Sequence, residues 1–215
     1  MAYKTVVLGH AVQTTSNCLS AVRRAHLAMG FELPTPASYF PLREAIRGAR
    51  RYLSKPTVQK LPISPGILMQ LVASTEWGSS LRCLYLSLWY TFSRLASLIP
   101  TAKNSVYECG SHLSWGNITF LENGVHIILE KTKTIQCHER RLEFLIPKHS
   151  NESICLLTQL KAWFNATPFK SKNHPVFLHL GGVYVPLSRR LATPPFKNAL
   201  ATAGVNPKNF GWSSF

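Results

Sequence analysis

The sequence predicts a mainly α-helical protein with a small three-stranded antiparallel sheet, in the α+β class. Three observations support this prediction. Apolar residues recur at helical spacing before Pro100, the spacing becomes that of strands from Ile118, and it returns to helical after Glu152. With 215 residues, 46% of them hydrophobic, the chain can bury a sizeable core.

The N-terminal part predicts two helices. Ser16 or Asn17 can cap a first helix that ends at Gly30, and Pro41 suits the first turn of a second. Because only Glu44 interrupts the basic side of the second helix, we interpret that side as a phosphate-contacting stripe, with a solvated charged face as the alternative. The stripe has the spacing i, i+4, i+7, i+8 and consists of Arg43, Arg47, Arg50 and Arg51.

Prolines indicate a linker, which we place at residues 56–65. Ser64 and Pro65 suit the N-cap and the first position of the helix that follows. A serine pair at 79–80 begins the next helical run, which is expected to end by Pro100.

The predicted sheet begins at Ile118. Asn123-Gly124 is typical of a two-residue hairpin turn and therefore predicts the first two strands. A third strand is expected at residues 141–146, before Pro147, and the connection leading into it is rich in lysine.

Two helical segments are predicted after the sheet. The first runs from Glu152 to Phe164, and the second from Leu187 to Ala203, with Ser188 near its start and Gly204 as its stop. Consecutive prolines at 194 and 195 interrupt the second segment, so both one helix and two helices remain open.

The net charge and the acidic residues of the chain restrict the classes of partner and of enzyme that fit it. The chain has 24 Lys and Arg against 9 acids, a formal net charge of +15, which favours a polyanionic partner. DNA, RNA and an anionic membrane surface all fit such a charge. All nine acids are Glu, whereas metal-dependent phosphoryl-transfer enzymes usually need Asp, so we expect neither a metal site nor a cofactor.

The five cysteines form no CxxC pair and suggest no disulfide framework, so free thiols in a reducing compartment are expected. The most apolar stretch, Leu81 to Pro100, is interrupted by Arg82 and Arg94, which indicates a buried helix and no membrane partner. No segment has the pattern of a signal peptide. We expect an intracellular protein that is not secreted, nuclear in a eukaryote and otherwise cytoplasmic.

The runs Leu88–Leu98 and Ile127–Lys133 resemble two boxes of the tyrosine recombinases, the phage-integrase family, and most of all the versions carried by eukaryotic retroelements and cryptons. In that family the first box carries a catalytic arginine, and the second, on a β-hairpin, carries a catalytic lysine. The resemblance assigns these roles to Arg94 and Lys131, with Lys133 as the second candidate for the lysine.

The resemblance also implies the organisation of the chain. Residues 1–55 correspond to part of a helical, SAM-like core-binding domain, 56–65 to the linker, and 66–215 to an incomplete catalytic domain. The closing run Phe210–Phe215 resembles the approach to the HxxR box, with Ser213 at the histidine position. The second arginine and the tyrosine nucleophile are therefore expected beyond the last residue.

The family cleaves DNA without a metal ion. A tyrosine attacks the phosphorus, arginines hold the charge that develops on the phosphate, and the hairpin lysine protonates the leaving 5′-oxygen. This chain departs from the family's first box at two places. Phe92-Ser93 replaces the turn with glycine before Arg94, and Ser97 replaces a glutamate.

We therefore predict a DNA-binding fragment of a site-specific recombinase that does not cleave DNA on its own. The expected partners are double-stranded DNA and other recombinase protomers bound to it, with no small-molecule substrate. A domesticated, non-enzymatic DNA-binding protein and a basic RNA-binding protein are the alternatives. Further contacts to the DNA backbone are assigned to Lys133, Arg140, Arg141, Arg189 and Arg190.

Overall fold

The computed structural model describes residues 11–32, 35, 38–53, 59–76, 78–102, 105–132, 141–180 and 184–215. The chain divides into two compact units, Met1–Val58 and Gln59–Phe215. The boundary falls inside the segment predicted as a linker, and the part of that segment from Gln59 onward belongs to the second unit.

The first unit contains two helices in contact, α1 (Val12–Ala28) and α2 (Phe40–Leu53). Both helices were predicted. α1 begins ahead of the serine and asparagine proposed as caps, because Val12 and Thr15 are buried and extend the packed side of the helix. It ends as predicted before Gly30, whose φ of +82° is the left-handed conformation that favours glycine.

The described residues of the second unit form five α-helices and two antiparallel sheets. The helices are α3 (Pro65–Ala73), α4 (Ser80–Thr91), α5 (Leu95–Leu98), α6 (Leu156–Ala166) and α7 (Arg189–Thr202). The strands are β1 (Ile118–Phe120), β2 (Gly124–Leu129), β3 (Leu142–Pro147), β4 (Leu178–Leu180) and β5 (Tyr184–Pro186). β1, β2 and β3 pair in that order, which confirms the predicted three-stranded antiparallel sheet. β4 and β5 form a separate, unpredicted hairpin.

Serine caps begin α3 and α4, as predicted. The Oγ atoms of Ser64 and Ser79 each accept a hydrogen bond of 3.3 Å from an N–H in the first turn of the following helix. The two helices are also joined by Arg82, whose buried side chain donates to the backbone carbonyls of Val72 and Thr75 at the end of α3. Arg82 therefore satisfies carbonyls that the end of α3 leaves without helical partners.

α4 ends at Thr91, so the prediction of one helical run to Pro100 is wrong. Phe92 adopts a left-handed conformation with φ 46° and ψ 27°, and the Ser93 N–H donates to Thr91 Oγ1 at 3.3 Å. α5 then starts after Arg94. A left-handed residue at the end of a helix is usually glycine or asparagine, and phenylalanine rarely adopts this conformation. The residue type at position 92 therefore gives no sign of the break.

Replacing Phe92 with glycine is expected to raise the free energy of unfolding by about 0.5–1 kcal/mol, because it removes the strain of a positive φ. Little burial is lost, since Phe92 is 77% exposed and its ring lies 6.4 Å from the Trp89 ring between centroids. Urea unfolding followed by tryptophan fluorescence measures the change. Phe92→Ala is the control, since it removes the ring but keeps the strain. An equal gain in both variants would show that the backbone conformation is not the cause.

The hairpin between β1 and β2 is confirmed, but its turn lies one residue earlier than predicted. Leu121 pairs with Gly124 through an N–H···O bond of 2.9 Å, so Glu122 and Asn123 form the loop. Asn123 and Gly124 both have negative φ. Glycine is needed at 124 for another reason: a Cβ there would lie 2.6 Å from the carbonyl oxygen of Ile146 on β3.

α6 begins at Leu156, later than the predicted start at Glu152. An Asx turn precedes it, in which the Ser153 N–H donates to Asn151 Oδ1 at 3.0 Å. The polar side chain of Asn151 thus competes with the helix for this backbone.

α7 is one helix despite Pro194 and Pro195 in its interior, which settles the alternative left open by the sequence. Each proline removes one backbone hydrogen bond. The residues buried on one side, Ala192, Phe196 and Leu200, are 0% exposed at helical spacing. Burial of this side offsets the lost hydrogen bonds and keeps the helix continuous.

The core of the second unit extends to the last residues of the chain. The Trp212 ring stacks on Phe196 of α7 at 4.4 Å between centroids, and the Phe215 ring stacks on Tyr85 of α4 at 6.1 Å. The Ile63 N–H donates a hydrogen bond of 2.7 Å to the carbonyl oxygen of Ser214, in the same C-terminal run. The segment before α3 and the C-terminal segment are therefore both parts of this core.

Candidate functional site

An open cavity of about 880 Å³ lies in the second unit, between the start of α5, the segment after β2 and the loop of residues 105–112. We call it the cation cleft, because the described residues that line it include two cationic side chains, Arg94 and Lys131, and one carboxylate, Glu108. The polar residues that line it include Arg94, Ser97, Glu108, Ser111, His112 and Lys131.

Arg94 occupies the N-cap position of α5, and its side chain is exposed. The break after α4 places it outside any helix, and the helical setting predicted for it is therefore wrong. Among the described residues, its guanidinium has no ion-pair or hydrogen-bond partner. The donors of this planar group are thus available to an anion in the cleft.

Lys131 lies just after β2, in the connection toward β3, as predicted. It is half-buried, and its Nζ donates a hydrogen bond of 3.3 Å to Ser111 Oγ. This bond ties the end of β2 to the loop of residues 105–112. Within the described ranges, Lys131 forms no ion pair with Glu108, so its charge is not neutralised inside the cleft.

The loop of residues 105–112 is held by its own backbone. The Glu108 carbonyl accepts hydrogen bonds from the N–H groups of Ser111 (3.2 Å) and His112 (3.0 Å). Gly110 makes the turn possible with a φ of +84°. These backbone hydrogen bonds fix the conformation of the loop, and Ser111 and His112 line the cleft from it.

The His112 ring is half-buried, and the backbone of Glu108 holds it at Nδ1. Its Nδ1 lies 3.0 Å from the Glu108 backbone nitrogen and 3.2 Å from the Glu108 carbonyl oxygen, and the Tyr107 ring lies 5.9 Å away between centroids. Burial lowers the pKa of His112, and so does the charge of Lys131, while the Glu108 carbonyl and carboxylate oppose both effects. The ring is therefore mainly neutral at pH 7.

Tyr107 lies beside His112 but is engaged elsewhere. Its hydroxyl donates to the Asn173 carbonyl oxygen at 3.0 Å. Burial raises the pKa of this hydroxyl, and the nearby Cys109 thiol raises it further. Tyr107 is therefore a neutral phenol, and its O–H is already hydrogen-bonded to the Asn173 carbonyl oxygen.

The arginine stripe of the first unit lies on the exposed side of α2, and Ile46 is buried on another side, as the spacing predicts. The Glu44 carboxylate lies 3.5 Å from Arg43 Nε and 3.6 Å from Arg47 Nη1. The stripe is thus partly neutralised, and its contact with phosphate stays a prediction. Exposed in the last turn of α2 are Arg50 and Arg51.

The other predicted backbone contacts do not gather at the cleft. Arg141 is exposed immediately before β3, and Arg189 and Arg190 are exposed in the first turn of α7. None of these three lines the cation cleft. Two further predicted contacts, Lys133 and Arg140, lie outside the described residues.

Ser213, at the predicted histidine position of the HxxR box, is exposed and does not line the cleft. The cleft instead contains Ser111 and His112, which the sequence reasoning missed. Neither residue belongs to a motif, and only the fold of the loop before β1 brings them beside Lys131. The adjacent Gly110 is the one local signal of a turn in this region.

Among the described residues, no group of three or more His, Cys, Asp or Glu side chains is arranged to hold a metal ion. None of the helices in the described ranges combines the length and the apolarity that a bilayer span requires. No protein-family model matches the chain, and no curated protein is significantly similar to it.

Proposed function

We propose that the protein binds double-stranded DNA and holds a backbone phosphate in the cation cleft, between Arg94 and Lys131. One observation carries the proposal: these two cations come from different elements, the start of α5 and the end of β2, and line the same open cavity. An anion that enters this cavity meets both positive charges.

The chemistry of the lining suits a phosphodiester. A guanidinium offers a planar fork that can bind two phosphate oxygens, and an ammonium offers a compact charge beside it. Ser97 and Ser111 add hydroxyl groups that can donate to further oxygens. The net charge of +15 attracts the polyanion as a whole, whereas the cleft selects where a phosphate sits.

The turn before Arg94 supports a relation to the tyrosine recombinases. In that family a glycine stands two residues before the first catalytic arginine, and here Phe92 at that position is left-handed, the conformation in which glycine is favoured. Lys131 follows a β-hairpin strand, as the family's lysine does. We accordingly propose recombinase ancestry for the cleft.

The proposed role of the cleft is binding of the phosphate, without strand cleavage by the described residues. Cleavage in this family needs a tyrosine whose oxygen can attack phosphorus. Tyr107 is the tyrosine that lines the cleft, but its hydroxyl donates to Asn173 and its pKa is raised by burial. The cleft is therefore proposed as a phosphate-binding site.

Replacing Arg94 or Lys131 with alanine is expected to weaken binding to a fluorescein-labelled duplex of about 20 base pairs by roughly tenfold, and to reduce the slope of log affinity against log salt by about 1. Fluorescence anisotropy at several salt concentrations measures both. Arg94→Lys keeps the charge but loses the fork, so an intermediate loss is expected.

Lys161→Ala is the matched control, because Lys161 is exposed on α6 and does not line the cleft. It should change affinity less than the two cleft variants. Equal losses in all three variants would mean that total charge, and not the cleft, controls binding. Preferential competition by RNA over duplex DNA would instead favour the RNA-binding alternative.

A further inference from the structure

We propose that His112 is a third phosphate ligand in the cation cleft, which contacts the phosphate through Nε2–H and takes up a proton at Nδ1 when the phosphate binds. This inference rests on the proposed function and adds a regulator to it. DNA binding would then be coupled to protonation of one imidazole, so that affinity depends on pH near neutrality.

The geometry leaves one ring nitrogen for the ligand. His112 Nδ1 is occupied by the backbone of Glu108, whose nitrogen lies 3.0 Å away. In the neutral ring Nδ1 accepts that N–H, and the ring proton therefore resides on Nε2. Since His112 lines the same cavity as Arg94 and Lys131, Nε2–H is the group available to a phosphate oxygen there.

The backbone of Glu108 also serves the charged ring. Its carbonyl oxygen lies 3.2 Å from Nδ1, close enough to accept the hydrogen that Nδ1 carries after protonation. When Nδ1 gains a proton from solvent, it loses the hydrogen bond from the Glu108 N–H and donates to the Glu108 carbonyl instead, while Nε2–H remains a donor in both states. A positioned histidine with a partner for each protonation state is suited to a proton-coupled site.

Burial keeps the His112 ring neutral until an anion arrives, and the charge of Lys131 adds to this effect. Lys131 and Arg94 are the cations of the same cleft, and Glu108 supplies the opposing carboxylate. Tyr107 is a neutral neighbour. Glu130, next to Lys131, is turned to Asn117, whose Nδ2 donates to its Oε1 at 3.1 Å.

A bound phosphate reverses this balance, because its negative charge stabilises the imidazolium. The pKa of His112 is therefore higher in the complex than in the free protein, where it is depressed below the ordinary value of 6.5. Binding is strongest below the free pKa, weakens as pH rises toward the pKa of the complex, and is constant above it. The weakening begins below pH 6.5.

The test measures duplex DNA affinity by anisotropy between pH 5.5 and 8 at fixed salt. The wild-type protein should lose about three- to tenfold in affinity as pH rises through this range, through His112. His112→Gln keeps an N–H donor but cannot be charged, so its profile should be nearly flat. The control His126→Gln removes a histidine that pairs with Glu143 at 3.2 Å on the sheet, and should keep the wild-type profile.

Calorimetry of the wild-type complex in two buffers of different ionisation enthalpy provides a second test, independent of any variant. Proton uptake near pH 6.5 is expected, and its absence would overturn the inference. Parallel profiles of wild type and His112→Gln would also overturn it, while leaving the cleft intact if Arg94→Ala still weakens binding. If Arg94→Ala has no effect at any pH, the proposed function itself fails.

Discussion

Phe196→Ala is expected to lower the free energy of unfolding of the second unit by about 3–5 kcal/mol. Phe196 is 0% exposed and packs against three other aromatic rings. Its ring is stacked on Trp212 at 4.4 Å between centroids and lies 5.9 Å from both Tyr85 and Phe215. Alanine would leave a cavity where α4, α7 and the C-terminal segment meet. Urea unfolding followed by tryptophan fluorescence measures the loss.

Two controls show whether the aromatic cluster is responsible for this loss. Phe196→Leu keeps much of the volume and should cost less than about 1.5 kcal/mol. Phe169→Ala removes a ring that is 37% exposed and should cost clearly less than Phe196→Ala. A loss below 1 kcal/mol for Phe196→Ala, about the size of an ordinary surface change, would contradict the packing described for the C-terminal segment.

Gly78→Ala is expected to cost about 2–4 kcal/mol, from two separate causes. Gly78 has a φ of +63°, and a Cβ there would lie 2.8 Å from the Cβ of Ala162 on α6. The Ala162 Cβ cannot rotate away, because it is fixed to the backbone of the helix. The same displacement would strain the hydrogen bond of 2.9 Å from the Gly78 N–H to the buried Gln159 Oε1. Chemical unfolding again provides the measurement.

The chain contains a control that separates the two causes. Gly204 has a φ of +71°, but a Cβ there would meet nothing within 4 Å, so Gly204→Ala should cost only the backbone strain, about 1 kcal/mol. The difference between the two variants measures the steric overlap. Adding Ala162→Gly to Gly78→Ala should recover part of that difference. Equal losses at positions 78 and 204 would show that contact with α6 is unimportant.

In the candidate site, the sequence identified Arg94 and Lys131 only through a resemblance to a family. The structure places both residues on one cavity, and their catalytic ancestry remains a proposal. The same reasoning did not find His112 or Ser111. Their place in the cleft depends on the packing of a loop against the end of β2, which no local pattern reports.

Local interactions explain the parts of the fold that the sequence was sufficient to predict. The starts of α3 and α4 follow the capping residues Ser64 and Ser79, and α1 and α7 stop at glycines of positive φ. Caps, stop signals and the alternation of strands depend on hydrogen bonds and steric limits between residues close in the chain. Such limits act before any tertiary contact forms.

Packing between distant segments decided the features of the fold that the sequence did not predict. β3 passes so close to Gly124 that the hairpin turn lies one residue earlier, and the buried side of α7 keeps that helix whole through Pro194 and Pro195. The end of α4 at a left-handed Phe92, which places Arg94 in the cleft, opposes the residue's own preference. Local preferences, about 1 kcal/mol for a positive φ and about 3 kcal/mol for a proline inside a helix, are what a sequence pattern reports, and contacts between distant segments can override them.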